Sequence, residues 1–430
     1  MVKIIGGGLA GCEAAWQLAN AGIKSCIYEM KPHKFTPAHH YSGLAELVCS
    51  NSLKASRHDS AAGLLKEEME TLGSLIVPCA KANAVEAGGA LAVDRERFSD
   101  MVTEKIHSHP LIEVIDEEVE TIPEGPVIIA TGPLTAGGLA ENIRRMCGDY
   151  LSFFDAAAPI VTFESLDMDK VFFASRYDRG DADYINCPMN KEEYLAFYNA
   201  LITAESAPLK EFDKRDFKVY EGCMPVEVLA RRGEDTMRYG PLKPVGLTDK
   251  RTGKRPYAVV QLRKENAHGT MYNLVGFQTN LKFGEQKRVF SIITGLENAE
   301  FVRYGVMHRN SFIDSPKLLE PTYALKSNHD IFFAGQITGV EGYIESAASG
   351  IMAGINMARH LRNEEPLVLP AETMIGALTA YISGGCSGEF QPMGCNMGIL
   401  PDLPVRIKDK KAKYTAYADR AIEALNRTIK

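Results

Sequence analysis

The sequence predicts an α/β fold with a parallel sheet at its centre, and three glycine-marked segments carry this prediction. In each segment, a short apolar run typical of a buried strand ends directly at a turn that contains glycine. Two of the three continue into a helix pattern, which is the order of elements in a parallel β-α unit. The segments are residues 2–19, 127–133 and 330–354.

The first segment has the arrangement of a phosphate-binding loop. Glycines stand at positions 6, 8 and 11, between an apolar run at 2–5 and a helix pattern at 12–19. The first glycine permits a tight turn, the second lets the backbone approach a pyrophosphate, and the third lets the helix pack on the strand. A diphosphate would then meet free N–H groups at the helix N-terminus.

The next strand supports a dinucleotide site. Residues 24–28 have a strand pattern that ends at Glu29, about where a carboxylate takes a ribose hydroxyl. A glycine loop alone is a weak signal, but the strand, loop, helix and acid together favour a dinucleotide. The predicted binding residues are Gly6, Gly7, Gly8, Leu9, Ala10, Gly11 and Glu29.

The two later segments decide between NAD and FAD. Residues 127–133 form a strand pattern that runs into Ala-Thr-Gly, and residues 330–342 form another strand and glycine turn ahead of a helix of small residues. An NAD site explains only the first segment. All three together resemble the glutathione-reductase-like FAD-binding fold, in which the late turn and helix support the flavin. This resemblance adds Thr131, Gly132, Gly335, Gln336, Gly342 and Tyr343 to the predicted site, with Tyr343 as a candidate lid.

The length of 430 residues allows two domains, and the sequence pattern changes in the middle of the chain. From about 159 to about 300, alternating strands with aromatic and charged faces are joined by basic turns. We interpret this region as a smaller α/β domain inserted into the FAD-binding fold. The expected division is 1–158 and 301–430 for the two parts of the FAD-binding domain, the second with a helical tail, and 159–300 for the insert.

The composition of the chain indicates the cellular compartment in which the protein is expected. No apolar stretch reaches the roughly 18–20 residues that cross a bilayer, and no basic leader precedes an apolar core at the N-terminus. The nine cysteines follow no regular spacing and include no C-x-x-C pair, which fits a reducing compartment better than a disulfide framework. We expect a cytoplasmic protein with no membrane segment and no bound metal.

Charge is distributed unevenly along the chain. The formal net charge is −7, yet residues 210–288 contain 17 Lys and Arg against 10 Asp and Glu, and residues 406–430 contain 8 against 3. Such asymmetry is consistent with a polyanion footprint on one region. The alternative is an ordinary solvated surface, and charge alone does not separate the two.

Two cysteines differ from the other seven in their surroundings. Pro225 and Gly233 bracket a short helix pattern, with proline at the first helical position, and Cys223 lies just ahead of its N-terminus. The positive end of a helix dipole favours a thiolate there. Cys49 lies among small polar residues after the nucleotide unit, where a flavin is expected. The alternative for both is a cysteine buried as a small apolar side chain.

The chain closely resembles the folate- and FAD-dependent tRNA (uracil-5-)-methyltransferases of bacteria. The resemblance covers nearly the whole length, and several of its blocks are more specific than the glycine loop. The blocks are residues 6–16, 47–54, 63–69, 88–95, 221–232, 282–290, 304–310 and 334–356.

The resemblance implies methylation of the T-loop uridine of tRNA. Methylenetetrahydrofolate would supply the carbon, and FAD reduced by NAD(P)H would supply the reducing equivalents. The position of Cys223 matches the family's nucleophile, which adds to carbon 6 of uracil. Cys49 matches a cysteine beside the flavin that the methylene unit can alkylate, and whether it is essential or protective stays open. His308 matches the histidine that covers the pterin of the folate.

The RNA footprint is expected on the basic insert. The residues predicted to contact tRNA, through its T-arm, are Arg231, Arg232, Lys282, Lys287 and Arg288. The alternatives come from other classes. One is a flavoprotein that modifies the wobble uridine of tRNA, a longer relative with an additional helical domain. Others are an NAD(P)H-flavin oxidoreductase that does not act on RNA and a non-catalytic RNA-binding flavoprotein.

Overall fold

The computed structural model describes residues 1–149, 151–156, 158–178, 181–207, 224–385 and 390–429; for residues 151–156, 178, 308, 309 and 385 it describes the backbone only. The strands of this part are β1 Val2–Ile5, β2 Ser25–Glu29, β3 Ser52–Ala55, β4 Ala84–Val85, β5 Ala90–Val93, β6 Ile112–Asp116, β7 Val127–Ile129, β8 Leu151–Ala156, β9 Ile160–Thr162, β10 Phe172–Phe173, β11 Tyr184–Met189, β12 Ala258–Lys264, β13 Met271–Leu274, β14 Phe301–Arg303, β15 Met307–Phe312, β16 Ala324–Leu325 and β17 Asn328–Phe333. The helices are α1 Leu9–Asn20, α2 Ala61–Thr71, α3 Ile76–Ala82, α4 Arg95–Ser108, α5 Gly137–Cys147, α6 Lys191–Ile202, α7 Val226–Ala230, α8 Thr236–Tyr239, α9 Phe283–Phe290, α10 Ser315–Leu318, α11 Tyr343–Leu361, α12 Met374–Ala380 and α13 Lys410–Thr428.

The first sheet has six strands in the order β16-β17-β7-β1-β2-β6. All neighbours from β17 to β6 are parallel, and β16 is antiparallel to β17. Strand β7 is apolar and buried, and its neighbours β1 and β2 are buried except for the half-buried Lys3 and Tyr28, as expected when helices cover both faces of a parallel sheet. Strands from the two ends of the chain therefore complete one sheet.

Helix α11 packs on α1 at very short range, and two glycines allow it. A Cβ on Gly350 would lie 2.2 Å from the carbonyl oxygen of Ala10, and a Cβ on Gly354 would lie 2.7 Å from that of Ala14. No larger residue fits either position without separating the helices. The run of small residues after Gly342, read in the sequence as a helix pattern, is thus the contact face between the two helices.

The second sheet has six strands in the order β10-β11-β12-β13-β9-β14, and its neighbours pair antiparallel. Helices α6, α7 and α9 contribute to a separate buried core on this sheet. The last strand, β14, lies just after the boundary expected at residue 300, so this sheet extends to Arg303.

Two smaller sheets lie outside these layers. One is the three-stranded sheet β3-β5-β4, and the other is the antiparallel pair of β8 and β15. The sequence indicated neither, because their strands are short and their partners are distant along the chain. Strand β3 lies in the mostly polar stretch between β2 and α2.

Local sequence signals were mostly correct for the helices. Apolar residues at helical spacing, including Leu64, Leu65 and Met69, form the buried face of α2, which Ser60 caps by accepting the N–H of Gly63 at 3.1 Å. The same spacing at Phe98, Val102 and Ile106 forms the buried face of α4, which begins after the N-cap Asp94. One detail was wrong: Pro225 occupies the N-cap of α7 in an extended conformation and not the first helical position.

No helix of the described residues is both long and apolar enough to cross a membrane.

Candidate functional site

The three predicted cofactor segments meet at one edge of the first sheet. Ile5, Ile129 and Phe333 stand opposite one another at the ends of the adjacent parallel strands β1, β7 and β17. The turns that follow these residues therefore leave the sheet side by side. In a parallel α/β sheet this carboxyl-end edge is where ligands bind.

Three glycines of the first turn, Gly6, Gly8 and Gly11, differ in the space around the position that a Cβ would take. Gly6 has a φ of +105°, and a Cβ on it would lie 2.6 Å from the carbonyl oxygen of Ala130. A Cβ on Gly11 would lie 1.9 Å from the carbonyl oxygen of Gly6, so the loop and α1 are too close for any side chain. A Cβ on Gly8 would meet no described atom within 4 Å. The open side of the loop thus faces the N-terminus of α1, where a diphosphate needs room.

The carboxylate of Glu29 fixes the shape of this loop. One of its oxygens accepts the N–H of Gly7 at 2.8 Å, and the other accepts the N–H of Lys31 at 3.1 Å. A carboxylate has further lone pairs, so these bonds leave acceptor capacity for a ribose hydroxyl. The ribose contact stays a prediction.

The second turn is held by its own side chains. Gly335 has a φ of +84° and donates its N–H to the Ser349 hydroxyl at 2.7 Å. The Gln336 amide donates to the Glu341 carboxylate at 2.5 Å. Gly342 has a φ of +123° and is the N-cap of α11. A second helix thus begins at the same edge of the sheet as α1.

The middle segment lies between the two turns. The Thr131 hydroxyl accepts from that of Thr135 at 2.6 Å. Gly132 has a φ of +72°, and a Cβ on it would meet no described atom within 4 Å. Open space at Gly8 and at Gly132, with two helix N-termini at one edge, fits an extended dinucleotide.

Tyr343, the first residue of α11, joins Cys49 to this edge. The backbone N–H groups of Cys49 and Ser50 donate to the phenol oxygen at 2.7 and 3.2 Å, and the Cys49 Sγ lies 2.9 Å from it. The two N–H bonds use the oxygen lone pairs, so the phenol O–H points to the sulfur as donor. Burial raises the pKa of Tyr343 well above its ordinary value, which keeps this proton on the phenol.

Three arginines hold the loop that carries Cys49. Arg95 donates to the carbonyl oxygen of Leu47 at 2.8 Å, Arg303 donates to that of Val48, and Arg263 donates to the Ser50 hydroxyl at 2.9 Å. The part of the protein built on the first sheet is called the first body here, and the part built on the second sheet is called the second body. Because Arg95 comes from α4 of the first body and the other two arginines come from the second sheet, the loop lies between the two bodies.

One buried carboxylate faces these arginines. Glu265 pairs with Arg95, and burial raises the pKa of this carboxyl while lowering the pKa of Arg263 and Arg303. Three guanidinium groups against one carboxylate leave an excess of positive charge beneath the Cys49 loop. Such an environment favours anionic groups at the site above it.

A second charged contact fixes the other side of the same loop. Lys54 Nζ lies 2.5 Å from the Glu345 carboxylate of α11, and the same carboxylate accepts the N–H of Cys395 at 2.9 Å. Burial raises the pKa of Cys395 well above its ordinary value, so its thiol stays protonated.

Sequence reasoning missed Arg95, Arg263, Arg303 and Glu265. They come from three parts of the chain, near residues 95, 264 and 303, and Arg263 and Arg303 lie more than 200 positions from the Cys49 loop. No spacing rule links residues that meet only in the folded chain, so the sequence held no signal for this cluster.

Cys223 lies outside the described residues, but both flanks of its segment are placed. Before it, Ala207 donates its N–H to Asn280 O at 2.7 Å, and after it, Val226 donates its N–H to Gln278 O at 2.7 Å. The Glu227 carboxylate of α7 then accepts the Thr279 hydroxyl and the Asn280 N–H, both at 2.8 Å. The chain thus enters and leaves this segment at the stretch 278–280.

The residues predicted to contact RNA share this part of the second body. Arg231 and Arg232 follow α7, and Lys282, Lys287 and Arg288 lie on or next to α9; all five are exposed. Lys282 pairs with Glu205 at 2.5 Å and Arg288 pairs with Glu285 at 2.7 Å. Exposed pairs of this kind are weak and can exchange for a phosphate. For Lys287 the described residues provide no ion pair.

His308 lies on β15, opposite Asp155 of β8, and its side chain is not described. The end of this strand is tied to the cofactor edge. Ser311 donates its N–H to Pro133 O at 2.8 Å, and Ile313 donates to Ile337 O at 2.9 Å. The backbone of His308 therefore belongs to an element attached to both the middle segment and the second turn.

Strand order, glycine loop and second turn define the class of the protein, which has the Rossmann-like, FAD-binding α/β fold that the sequence predicted. The predicted fold class is confirmed. A family described as "Glucose inhibited division protein A" matches the chain over residues 1–365. The chain belongs to this family.

Close relatives match over almost the entire chain. Proteins of Acetivibrio thermocellus and Listeria innocua are 60% and 59% identical to it, over 100% and 99% of this chain and 98% of each relative. Both are named "Methylenetetrahydrofolate--tRNA-(uracil-5-)-methyltransferase TrmFO". Among solved structures, GidA of Aquifex aeolicus matches with a TM-score of 0.71 at 17% identity, over 99% of this chain and 73% of that one. This second likeness concerns the fold alone.

Proposed function

We propose that this protein methylates carbon 5 of the T-loop uridine of tRNA. Methylenetetrahydrofolate is the carbon donor, and FADH2, regenerated by NAD(P)H, is the reductant. The observation that carries the proposal is 58–60% identity, over essentially the whole chain, to relatives whose names state a folate-dependent tRNA uracil-5 methyltransferase. The T-loop position, the nicotinamide and a cytoplasmic location follow from the family resemblance.

FAD is the cofactor that the sheet edge accommodates best. Its diphosphate would lie on the Gly6–Gly11 loop, its adenosine ribose at Glu29, and its flavin at the second turn, from Gly335 to Tyr343. Open space at Gly8 and Gly132 supports this assignment. When reduced, bound FAD would supply the hydride, and with it the two electrons, that turns a transferred methylene unit into a methyl group.

Cys223 is the residue that activates the uracil. Carbon 5 is a poor nucleophile until a thiolate adds to carbon 6, which places the electron pair on an enolate. Carbon 5 then forms the bond to the methylene unit and loses its proton, and the bond between that unit and the folate nitrogen breaks, with its electron pair going to the folate amine. A hydride added to the resulting exocyclic methylene expels the Cys223 sulfur from carbon 6 as a thiolate and restores the double bond between carbons 5 and 6. The polar, positively charged surface next to α7 supports this role.

Cys49 acts on the cofactor side. Its sulfur accepts a hydrogen bond from the Tyr343 phenol, and its loop lies over an excess of positive charge. Both features hold the Cys49 sulfur at the cofactor edge, where it would take up an electrophilic carbon unit. Tyr343 in turn fixes this loop to the helix that begins at the flavin.

We assign residues 159–303, which include the last strand of the second sheet, to the RNA side, and residues 1–158 and 304–430 to FAD. The exposed basic residues next to α7 and α9 support this division, because both helices adjoin the stretch 278–280, where the Cys223 segment begins and ends. Folate would enter where β15, with His308, joins the two bodies.

One experiment tests the function. The purified protein is incubated with an unmodified tRNA transcript, methylenetetrahydrofolate and NADPH, and the tRNA is digested and examined for ribothymidine. Ribothymidine should form only when all three are present, and only at one uridine. Ribothymidine without added folate, or none in the complete mixture, would contradict the proposal.

A further inference from the structure

A row of aromatic rings runs from the core of the second body to its surface. Phe290 is buried, and Phe301 lies 6.4 Å from it. Tyr304 stacks on Phe301 with ring centroids 5.2 Å apart and planes 10° apart. Phe283 stacks on Tyr304 at 4.9 Å and 15°. The last three rings are thus nearly parallel, like successive bases in a nucleic acid strand.

The outermost ring is exposed. The side chain of Phe283 is 54% exposed, although it is the first residue of α9 and a polar residue would serve there. An exposed aromatic face at the end of a rigid parallel stack is suited to accept one more flat ring. Folding alone gives no reason to leave it in water.

The stack is held rigidly on its inner side. The Gln286 side chain, which is buried, accepts the N–H of Gly305 at 2.8 Å and donates to the carbonyl oxygen of the same residue at 2.7 Å. This double contact fixes the segment after β14 to α9, so Tyr304 and Phe283 keep their spacing. A preformed platform binds a ring with little ordering cost.

The surroundings of Phe283 are basic and adjoin the flanks of the Cys223 segment. Lys282 precedes it, and Lys287 is exposed on the same short helix. Lys282 donates its backbone N–H to Glu205 O at 3.0 Å. Glu205 lies two residues before Ala207, the last described residue ahead of the Cys223 segment. The stretch 278–282, which binds both flanks, therefore leads directly into Phe283.

We propose that Phe283 is a stacking platform for one unpaired nucleobase of the RNA substrate, close to the uridine that Cys223 attacks. Every base has a π-face, and a neighbouring base must be unstacked for an enzyme to reach its target, so a substitute stacking partner stabilises the opened loop. The basic side chains on either side bind the phosphates of the same nucleotide run. This inference rests on the proposed function.

The test uses the full-length FAD-containing protein with Phe283→Leu, which keeps apolar contact with Tyr304 but lacks a π-face. Phe283→Trp keeps the face. Phe173→Leu is the matched control, because Phe173 is 42% exposed on β10, at the opposite edge of the same sheet. The substrates are an unmodified tRNA transcript and transcripts with 2-aminopurine at one T-loop position at a time. Melting temperature and FAD content are recorded for each variant.

The leucine variant at 283 should raise KM for tRNA about tenfold with kcat and NADPH oxidation unchanged, while the other two variants behave like wild type. One 2-aminopurine position should be quenched by wild type and not by Phe283→Leu. Unchanged KM and quenching, or a higher KM for methylenetetrahydrofolate in place of tRNA, would overturn the platform. If wild type forms no ribothymidine, the proposed function fails, and the quenching still decides whether Phe283 stacks a base.

Discussion

The phenol oxygen of Tyr343 lies 2.9 Å from the sulfur of Cys49 and 2.7 Å from its backbone nitrogen. The two residues are 294 positions apart, and Tyr343 is the first residue of the helix that begins at the second cofactor turn. The Cys49 sulfur is thereby fixed relative to the expected flavin position by one side chain.

The first prediction concerns this contact. Tyr343→Phe removes the oxygen that accepts the N–H groups of Cys49 and Ser50, and an unpaired buried N–H costs about 1–3 kcal/mol. Local opening should therefore become about tenfold or more easier. Hydrogen exchange followed by mass spectrometry should show faster exchange of residues 49–52, and methyl transfer should slow.

The matched control for this change is Tyr381→Phe. The Tyr381 hydroxyl donates to the carbonyl oxygen of Gln391 at 2.8 Å and has no such role at the Cys49 loop. It should leave exchange at 49–52 unchanged. Equal exchange in wild type and Tyr343→Phe would show that the arginines alone hold the loop.

The sequence predicted Cys49 and Tyr343 as separate candidates, one near the flavin and one as a lid. It could not predict their contact, because a hydrogen bond across such a distance depends on how α11 packs on α1. Local patterns define a strand, a glycine turn or a helix within about 20 residues. The arginines around the loop come from three such units, and only the folded chain brings them together.

The second prediction tests the phosphate loop. A Leu at position 8 has an ordinary backbone conformation and meets no described atom at its Cβ, so Gly8→Leu should fold. Its side chain would occupy the space that a diphosphate requires, and the purified protein should be colourless. The flavin absorbance near 450 nm, on the order of one FAD per chain in wild type, measures this.

Gly89→Leu is the control for the loop variant, because Gly89 also has open space at its Cβ and lies just before β5. It should retain its flavin. A Gly8→Leu protein with full flavin absorbance would require a different place for the diphosphate.

The third prediction concerns folate. His308→Ala should raise KM for methylenetetrahydrofolate several-fold and leave FAD content and NADPH oxidation intact, because the histidine is expected to cover the pterin and not to touch the FAD-binding loop. Steady-state kinetics with varied folate measure the change. His329→Ala, on the exposed start of β17, serves as control. Unchanged folate dependence in His308→Ala would remove this residue from the folate site.

The fourth prediction concerns RNA. Arg231→Gln combined with Lys287→Gln should weaken tRNA binding and reduce the salt slope of log Kd by about two, because each phosphate that the protein no longer neutralises lowers the slope by roughly one. Binding is measured at several salt concentrations with flavin content checked. The control pair is Lys24→Gln with Lys105→Gln, two exposed lysines of the first body. If only the control pair changed the slope, the footprint would lie on the other body or on the basic tail after Arg406.

The fold was easier to predict than the site. The glycine turn at 6–11 and the run of small residues after Gly342 can each be recognised within a short stretch of sequence, and the strands next to them are short and mostly apolar, so the sequence indicated the parallel sheet. The second sheet pairs strands in the order β10-β11-β12-β13-β9-β14, which no local pattern reveals. The partners of α9, including Phe301 and Tyr304, follow from that order.

The last prediction is the sharpest. Cys223→Ala should abolish methyl transfer, and Cys223→Ser should do nearly the same, because a serine hydroxyl is too weakly acidic to add to carbon 6 of uracil. FAD content and NADPH oxidation should survive, since the residues that follow Cys223 pack in the second body and not at the cofactor edge. A tRNA containing 5-fluorouridine should trap a covalent complex with wild type, because fluorine at carbon 5 does not leave as a proton does. The complex, seen as a shifted band on a denaturing gel, should vanish in Cys223→Ala and persist in Cys49→Ala. Trapping that depends on Cys49 and ignores Cys223 would reverse the assignment of the two thiols.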